Sequence, residues 1–157
     1  MRAALSIVLL SIALAAVPSA LGQGLTNGGP VDPGILDASK QRRLDKARKA
    51  WKSAHVRSYS YVVRLSCFCP ERPNVKMVVR SGHPAAGTPK QMRDVATVPR
   101  LFLKIQRSID ARVAAIDVTY GRRGVPSSIA IDVDKRAADE ESTYTIRRFT
   151  LLRSPAG

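Results

Sequence analysis

Cysteine and histidine are scarce in this chain, two of each among 157 residues, and aromatic residues make up only 5%. Acidic residues are few as well, 12 Asp and Glu against 26 Lys and Arg. Each shortage excludes something. With His55 at a helix end and His83 in a turn, no local spacing of the C-x-x-C with H-x-x-x-H kind arises, so a Cys/His metal site has little to build on. Two histidines also leave few bases to activate a serine nucleophile. The sequence contains no G-x-S-x-G, no glycine-rich phosphate loop and no H-E-x-x-H. These absences leave catalysis unsupported. The shortage of rings removes the paired exposed aromatics on which single-stranded bases stack, so nucleic acid is not the expected partner.

What is present is positive charge, a formal net +14. That balance attracts anionic partners, acidic polymer and lipid head groups among them, and does not choose between them. The first residues read MRAALSIVLLSIALAAVPSALGQG. A single basic residue, a short apolar run and a small-x-small site are the layout of a secretory signal peptide over residues 1–22. An uncleaved N-terminal anchor is the alternative. Export to a periplasmic or extracellular location is expected, without a transmembrane span in the mature form. No cysteine follows the apolar run, which excludes a lipobox. Residues 23–38, rich in Gly and Pro, read as a flexible tether, residues 39–153 as a single domain, and residues 154–157 as a disordered tail.

Within the domain, Leu44, Ala47, Trp51 and Ala54 form one stripe of a helix spanning 40–55, with Ser39 or Asp37 as its cap. Residues 58–69 alternate with period two, and a second short strand around Val75, Met77 and Val79 completes an antiparallel hairpin. Residues 81–90 read as a loop. Thr97 caps a second helix that carries Val98, Leu101, Phe102, Ile105 and Ile109 on its apolar side. Three strands follow, over 114–120, 128–133 and 141–152. In the last, Tyr144 and Ile146 share one parity and Phe149 and Leu151 the other, which a bulge near Arg147 and Arg148 reconciles. The expected fold is α+β, a five-stranded antiparallel sheet with two helices packed on one face, in the order α-β-β-α-β-β-β.

Three constellations can carry function. The first is Cys67 and Cys69, in the parity of the core-facing residues of their strand. On an extended strand residues i and i+2 lie about 6.6 Å apart, so a disulfide there requires a bend, for which Pro70 gives room. Closing a three-residue loop removes only about 1.6 kcal/mol of unfolded-state entropy, a weak staple. A local disulfide is favoured in an exported protein, with free buried thiols, an intermolecular bond, a redox pair or a metal-handling pair as alternatives. The second is the basic side of the first helix, Arg42, Arg43, Lys46, Arg48, Lys49 and Lys52, the densest positive stretch and the expected contact for an anionic partner. The third is Asp132, Asp134 and Asp139, a weak metal candidate because the alternating carboxylates of a calcium loop are missing. A solvated turn whose acids pair with Lys135 or Arg136 is the simpler reading.

Taken together, Trp51, the strand ending in C-F-C, Gly82, the helix start TVPRLF, and GVPSSIAID (Gly124 to Asp132) followed by Asp139 and Y-T-I resemble the bacterial domain of unknown function 6174 family. The resemblance covers roughly Ala50 to Leu151. It implies a small exported protein, in many members a lipoprotein, and implies no reaction. This chain departs from the pattern in lacking a lipobox cysteine and in having Val125 where an aromatic is usual. The expected function is a non-enzymatic envelope or secreted binding module with a basic surface and no cofactor, its partner an envelope protein, an anionic polymer or a membrane surface. The alternative is a redox or metal-handling protein centred on the C-x-C pair.

Overall fold

The computed structural model describes residues 30–137 and 140–153. The expected signal peptide, residues 23–29 of the expected tether and the tail 154–157 lie outside the described residues. Three α-helices, α1 (Pro33–Leu36), α2 (Ser39–Ser53) and α3 (Val98–Asp110), accompany six strands: β1 (Tyr59–Cys67), β2 (Val75–Arg80), β3 (His83–Pro84), β4 (Ala115–Tyr120), β5 (Pro126–Asp132) and β6 (Glu141–Leu151). The strands form one antiparallel sheet in the order β3-β2-β1-β6-β5-β4.

The α+β class and the antiparallel sheet agree with the sequence reading; the strand count and element order do not. The sixth strand, β3, pairs Val79 with Pro84 and Arg80 with His83. Two residues are too short for a periodic signal, and a proline without an N–H suits only a sheet edge. The loop after β3 also winds into a 3-10 turn over Lys90–Val95.

Helices α2 and α3 cover one face of the sheet. The core gathers Leu44 and Ala47 of α2 and Leu101 and Ile105 of α3 with Tyr59, Tyr61, Val63, Met77, Ile116 and Ile129 of the strands. Apolar residues at helical spacing meet apolar residues at strand spacing, and their removal from water is the main stabilising term. Two tyrosines lock the entry to α3. The Tyr61 hydroxyl donates to the Val95 carbonyl at 2.6 Å, and the Tyr59 hydroxyl accepts from the Val98 N–H at 2.9 Å. Burial raises the pKa of both phenols. Thr97 caps α3 by accepting from the Arg100 N–H, as the sequence predicts.

Gly124 explains how α2 is seated. Its φ is +74°, and a Cβ added there would collide with the Ala47 carbonyl of α2, whose carbon lies 2.8 Å from that position. Only a residue without a side chain permits this approach of loop to helix.

The end of the expected tether is built into the fold. Asp32 is buried; its carboxylate accepts from the Gly34 N–H at 2.7 Å and from the Ile116 N–H of β4 at 2.8 Å. Lys40 reaches Asp32 at 3.5 Å and Asp117 at 2.9 Å. Burial alone would raise the Asp32 pKa, but the two backbone bonds and Lys40 outweigh it and hold the carboxyl below its ordinary value. Gly and Pro at 33–34 therefore mark a helix start after a capping aspartate, not an unstructured stretch. No helix among the described residues is long and apolar enough to cross a membrane.

Candidate functional site

The six cations expected to meet an anionic partner divide into two groups. Arg42 donates to the Asp37 carbonyl at 2.9 Å, and Arg43 to the Val118 carbonyl of β4 at 2.9 Å. Arg48 donates to Gln106 at 2.8 Å and to the Phe102 carbonyl at 3.4 Å, binding α2 to α3. These guanidinium groups are engaged within the fold. Lys46, Lys49 and Lys52 of α2 are exposed.

A second basic region is a groove of about 680 Å³ beside α3, lined by Arg93, Arg100, Lys104 and Arg107 over Leu103 and Val133. Here too part of the charge is taken. Lys104 pairs with Asp94 at 2.8 Å and lies 4.6 Å from the centre of the Tyr144 ring. Burial would lower the Lys104 pKa, yet Asp94 and Tyr144 leave it raised. Arg100 donates to the Arg93 carbonyl.

The third region is on the sheet face that the helices leave uncovered. A concavity of about 390 Å³ is lined by Val62, Arg64, Asn74, Lys76, Thr145, Arg147 and Arg148. Register places four of these residues and Thr145 relative to one another. Val62 of β1 is paired with Lys76 of β2 on one side and Arg147 of β6 on the other, and Arg64 is paired with Thr145. Lys76, Val62 and Arg147 thus form one rung on the open face, with Arg64 on the next rung of that face.

The bulge completes the cradle. Ser60 pairs with Thr150 but Val62 with Arg147, so β6 carries one extra residue there, and Arg148 takes φ +53°. A bulge re-aims side chains and switches parity. Arg147 and Arg148 consequently line the same concavity, while Phe149 returns to the helix side and stacks on Tyr59 at 5.3 Å. No carboxylate lines this cradle. Among the described residues, none of the four cations has a side-chain hydrogen bond or an ion pair. Like charges on neighbouring rungs of one face repel, so the arrangement costs stability in the absence of a counter-charge. The sequence offered one signal for it. Arg64 and Lys76 fall on the parity opposite the core residues of their strands, but only the strand order brings them beside Arg147.

The other two constellations resolve differently. Cys67 and Cys69 form a disulfide with their Cα atoms 5.2 Å apart, so the strand end is bent as the spacing requires. The Cys69 N–H donates to the Cys67 carbonyl at 2.8 Å, a tight turn with Phe68 at its apex. Metal binding by this pair would require its reduction. Asp134 is bound to Arg136 at 2.7 Å, and that hydrogen-bonded pairing lowers its pKa to about 2. Asp132 has one buried carboxylate oxygen without a hydrogen-bond partner, and Asp139 lies outside the described residues. Among the described residues no three His, Cys, Asp or Glu side chains come together as a metal site.

No curated protein and no solved structure matches the chain. A family model matches residues 43–151, a span that contains the C-x-C strand, Gly124 against α2, and the bulged β6. The chain belongs to the family of unknown function DUF6174.

Proposed function

We propose that this is an exported, non-enzymatic binding module that attaches to a polyanionic partner in the bacterial envelope through the open-face cradle of Arg64, Lys76, Arg147 and Arg148. One observation carries the reading: four cations converge on a concavity that contains no carboxylate. A bound polyanion supplies the missing counter-charge, and arginine suits phosphate because its fork of donors binds oxygen pairs. The bulge supports the same reading, since it brings Arg148 beside Arg147 at the concavity. The exposed lysines of α2 add to the general field without forming a shaped site.

The test is equilibrium binding to soluble polyphosphate and to vesicles of equal parts phosphatidylglycerol and phosphatidylcholine. Each surface cation near an anionic surface contributes about 1 kcal/mol, so Arg64→Ser with Lys76→Ser and Arg147→Ser lowers affinity about a hundredfold. Lys46→Ser with Lys49→Ser and Lys52→Ser, an equal loss of charge, lowers it only a few-fold. Equal losses from the two triple variants would show that net charge alone binds, and the cradle would be dismissed.

A further inference from the structure

The cradle ends at the hairpin that carries the disulfide. Arg64 lines both the cradle and a notch of about 160 Å³ formed with Cys67, Cys69, Pro70, Glu71 and Arg72 at that end of β1. Between the two cysteines stands Phe68, 84% exposed. It is more exposed than any other large apolar side chain among the described residues, ahead of Leu36 at 60%, and the one aromatic in that group. Exposure alternates without a break from Arg64 through Ser66 to Phe68. Phe68 directly follows β1, in the tight turn four residues after Arg64, and is exposed like Arg64 and Ser66 before it.

Its backbone is held on both sides. The Cys67–Cys69 bond closes a ring around it, and the Cys69 N–H to Cys67 carbonyl bond closes a tight turn inside that ring. The ring contributes little to global stability, as a three-residue loop must. What it does is hold the backbone that carries one exposed phenyl group. A side chain with two rotatable bonds on a fixed backbone loses little entropy when it inserts into an apolar medium. Two exposed charges of opposite sign, Glu71 and Arg72, follow in the same loop.

We infer that Phe68 is an apolar anchor that enters an anionic lipid bilayer while the cradle behind it binds the head groups. This rests on the cradle reading and names its partner. A soluble polyanion offers nothing to an exposed phenyl ring, whereas a bilayer interface offers both terms at once, apolar burial and attraction to anionic lipid. Arg64, shared by the cradle and the notch beside the disulfide, places the cradle next to Phe68.

The experiment uses the whole protein, purified without reductant, against the same phosphatidylglycerol vesicles and soluble polyphosphate. Phe68→Ser is expected to lower vesicle affinity at least about fivefold, the loss of much of one buried side chain's transfer energy, and to leave polyphosphate binding unchanged. Phe68→Trp is expected to restore vesicle binding and to add a fluorescence signal quenched by lipids brominated along the acyl chain. Cys67→Ser with Cys69→Ser keeps the ring of Phe68 but frees its backbone, and is expected to cost about twofold on vesicles. Unchanged affinity in that variant would remove the disulfide from the device. If Phe68→Ser binds vesicles like wild type while the cradle triple variant does not, the anchor is overturned and the cradle stands. Wild-type protein that binds polyphosphate but not vesicles also overturns the anchor and makes a soluble polymer the partner. If the cradle triple variant binds both like wild type, the cradle reading itself fails.

Discussion

Helix α2 presents Arg43 and Arg48 with their guanidinium groups bonded to carbonyls of β4 and α3, whereas Arg64, Lys76 and Arg147 stand on the open sheet face with no such bond among the described residues. The first set lies within one helix and looks like a binding surface; the second is scattered over more than eighty positions and does not. Charge density along a chain therefore says little about which charges are free. A guanidinium on a carbonyl has exchanged water for a protein acceptor and serves as a strap. A guanidinium facing like charges across a concavity has exchanged nothing and keeps its attraction for an anion.

Substitutions can sharpen or break this contrast. The largest effect is expected where α2 meets the loop before β5. Gly124→Ala forces a methyl group against the Ala47 carbonyl and onto a residue at φ +74°, and should cost about 3 kcal/mol in denaturant unfolding. Polyphosphate binding by the fraction still folded should be unchanged. Arg43→Ala with Arg48→Ala should cost about 1 kcal/mol each, because each removes a charged donor from a carbonyl, and should change binding far less than the cradle variant does. A hundredfold loss of binding without loss of stability would reverse the assignment of strap and site.

A smaller effect concerns the anchor of α1. Because the Asp32 carboxyl is held below its ordinary 3.8, its contribution is present above that pH and is lost as pH falls through its lower, folded value. Asp32→Asn should cost about 1 kcal/mol at neutral pH, and the difference from wild type should vanish in strong acid. A difference that persists unchanged to low pH would mean that geometry, not charge, is what Asp32 supplies.

Much of the architecture was legible in the chain. Period-three-and-four and period-two patterns located α2, α3 and five of the six strands, and the parity clash between Ile146 and Phe149 located the bulge at Arg147 and Arg148. Strand β3 was not legible because two residues have no period, and α1 was missed because Gly and Pro at its start read as a break. Of the site, the C-x-C spacing pointed to the disulfide, and the charge density of α2 did not report that Arg42, Arg43 and Arg48 bond within the fold while Lys46, Lys49 and Lys52 stay exposed. Whether an arginine is free depends on carbonyls contributed by distant elements, Val118 for Arg43 and Phe102 for Arg48, and no local spacing reports them. The cradle needed strand order, since Arg64 and Arg147 become neighbours only when β6 is laid beside β1.

The bonds made by Asp32 and Arg43 fall on one line of backbone. Ile116 and Val118 are two residues apart on β4, the last strand of the sheet, and Asp32 takes the N–H of the first while Arg43 takes the carbonyl of the second. At those positions an incoming strand from another molecule would have to pair, and both are already occupied. The opposite border, β3, is two residues long and ends in Pro84. The sheet is thus finished at both borders by side chains and a proline, a guard against self-association that a basic, half-uncovered β-sheet needs when it is crowded with copies of itself.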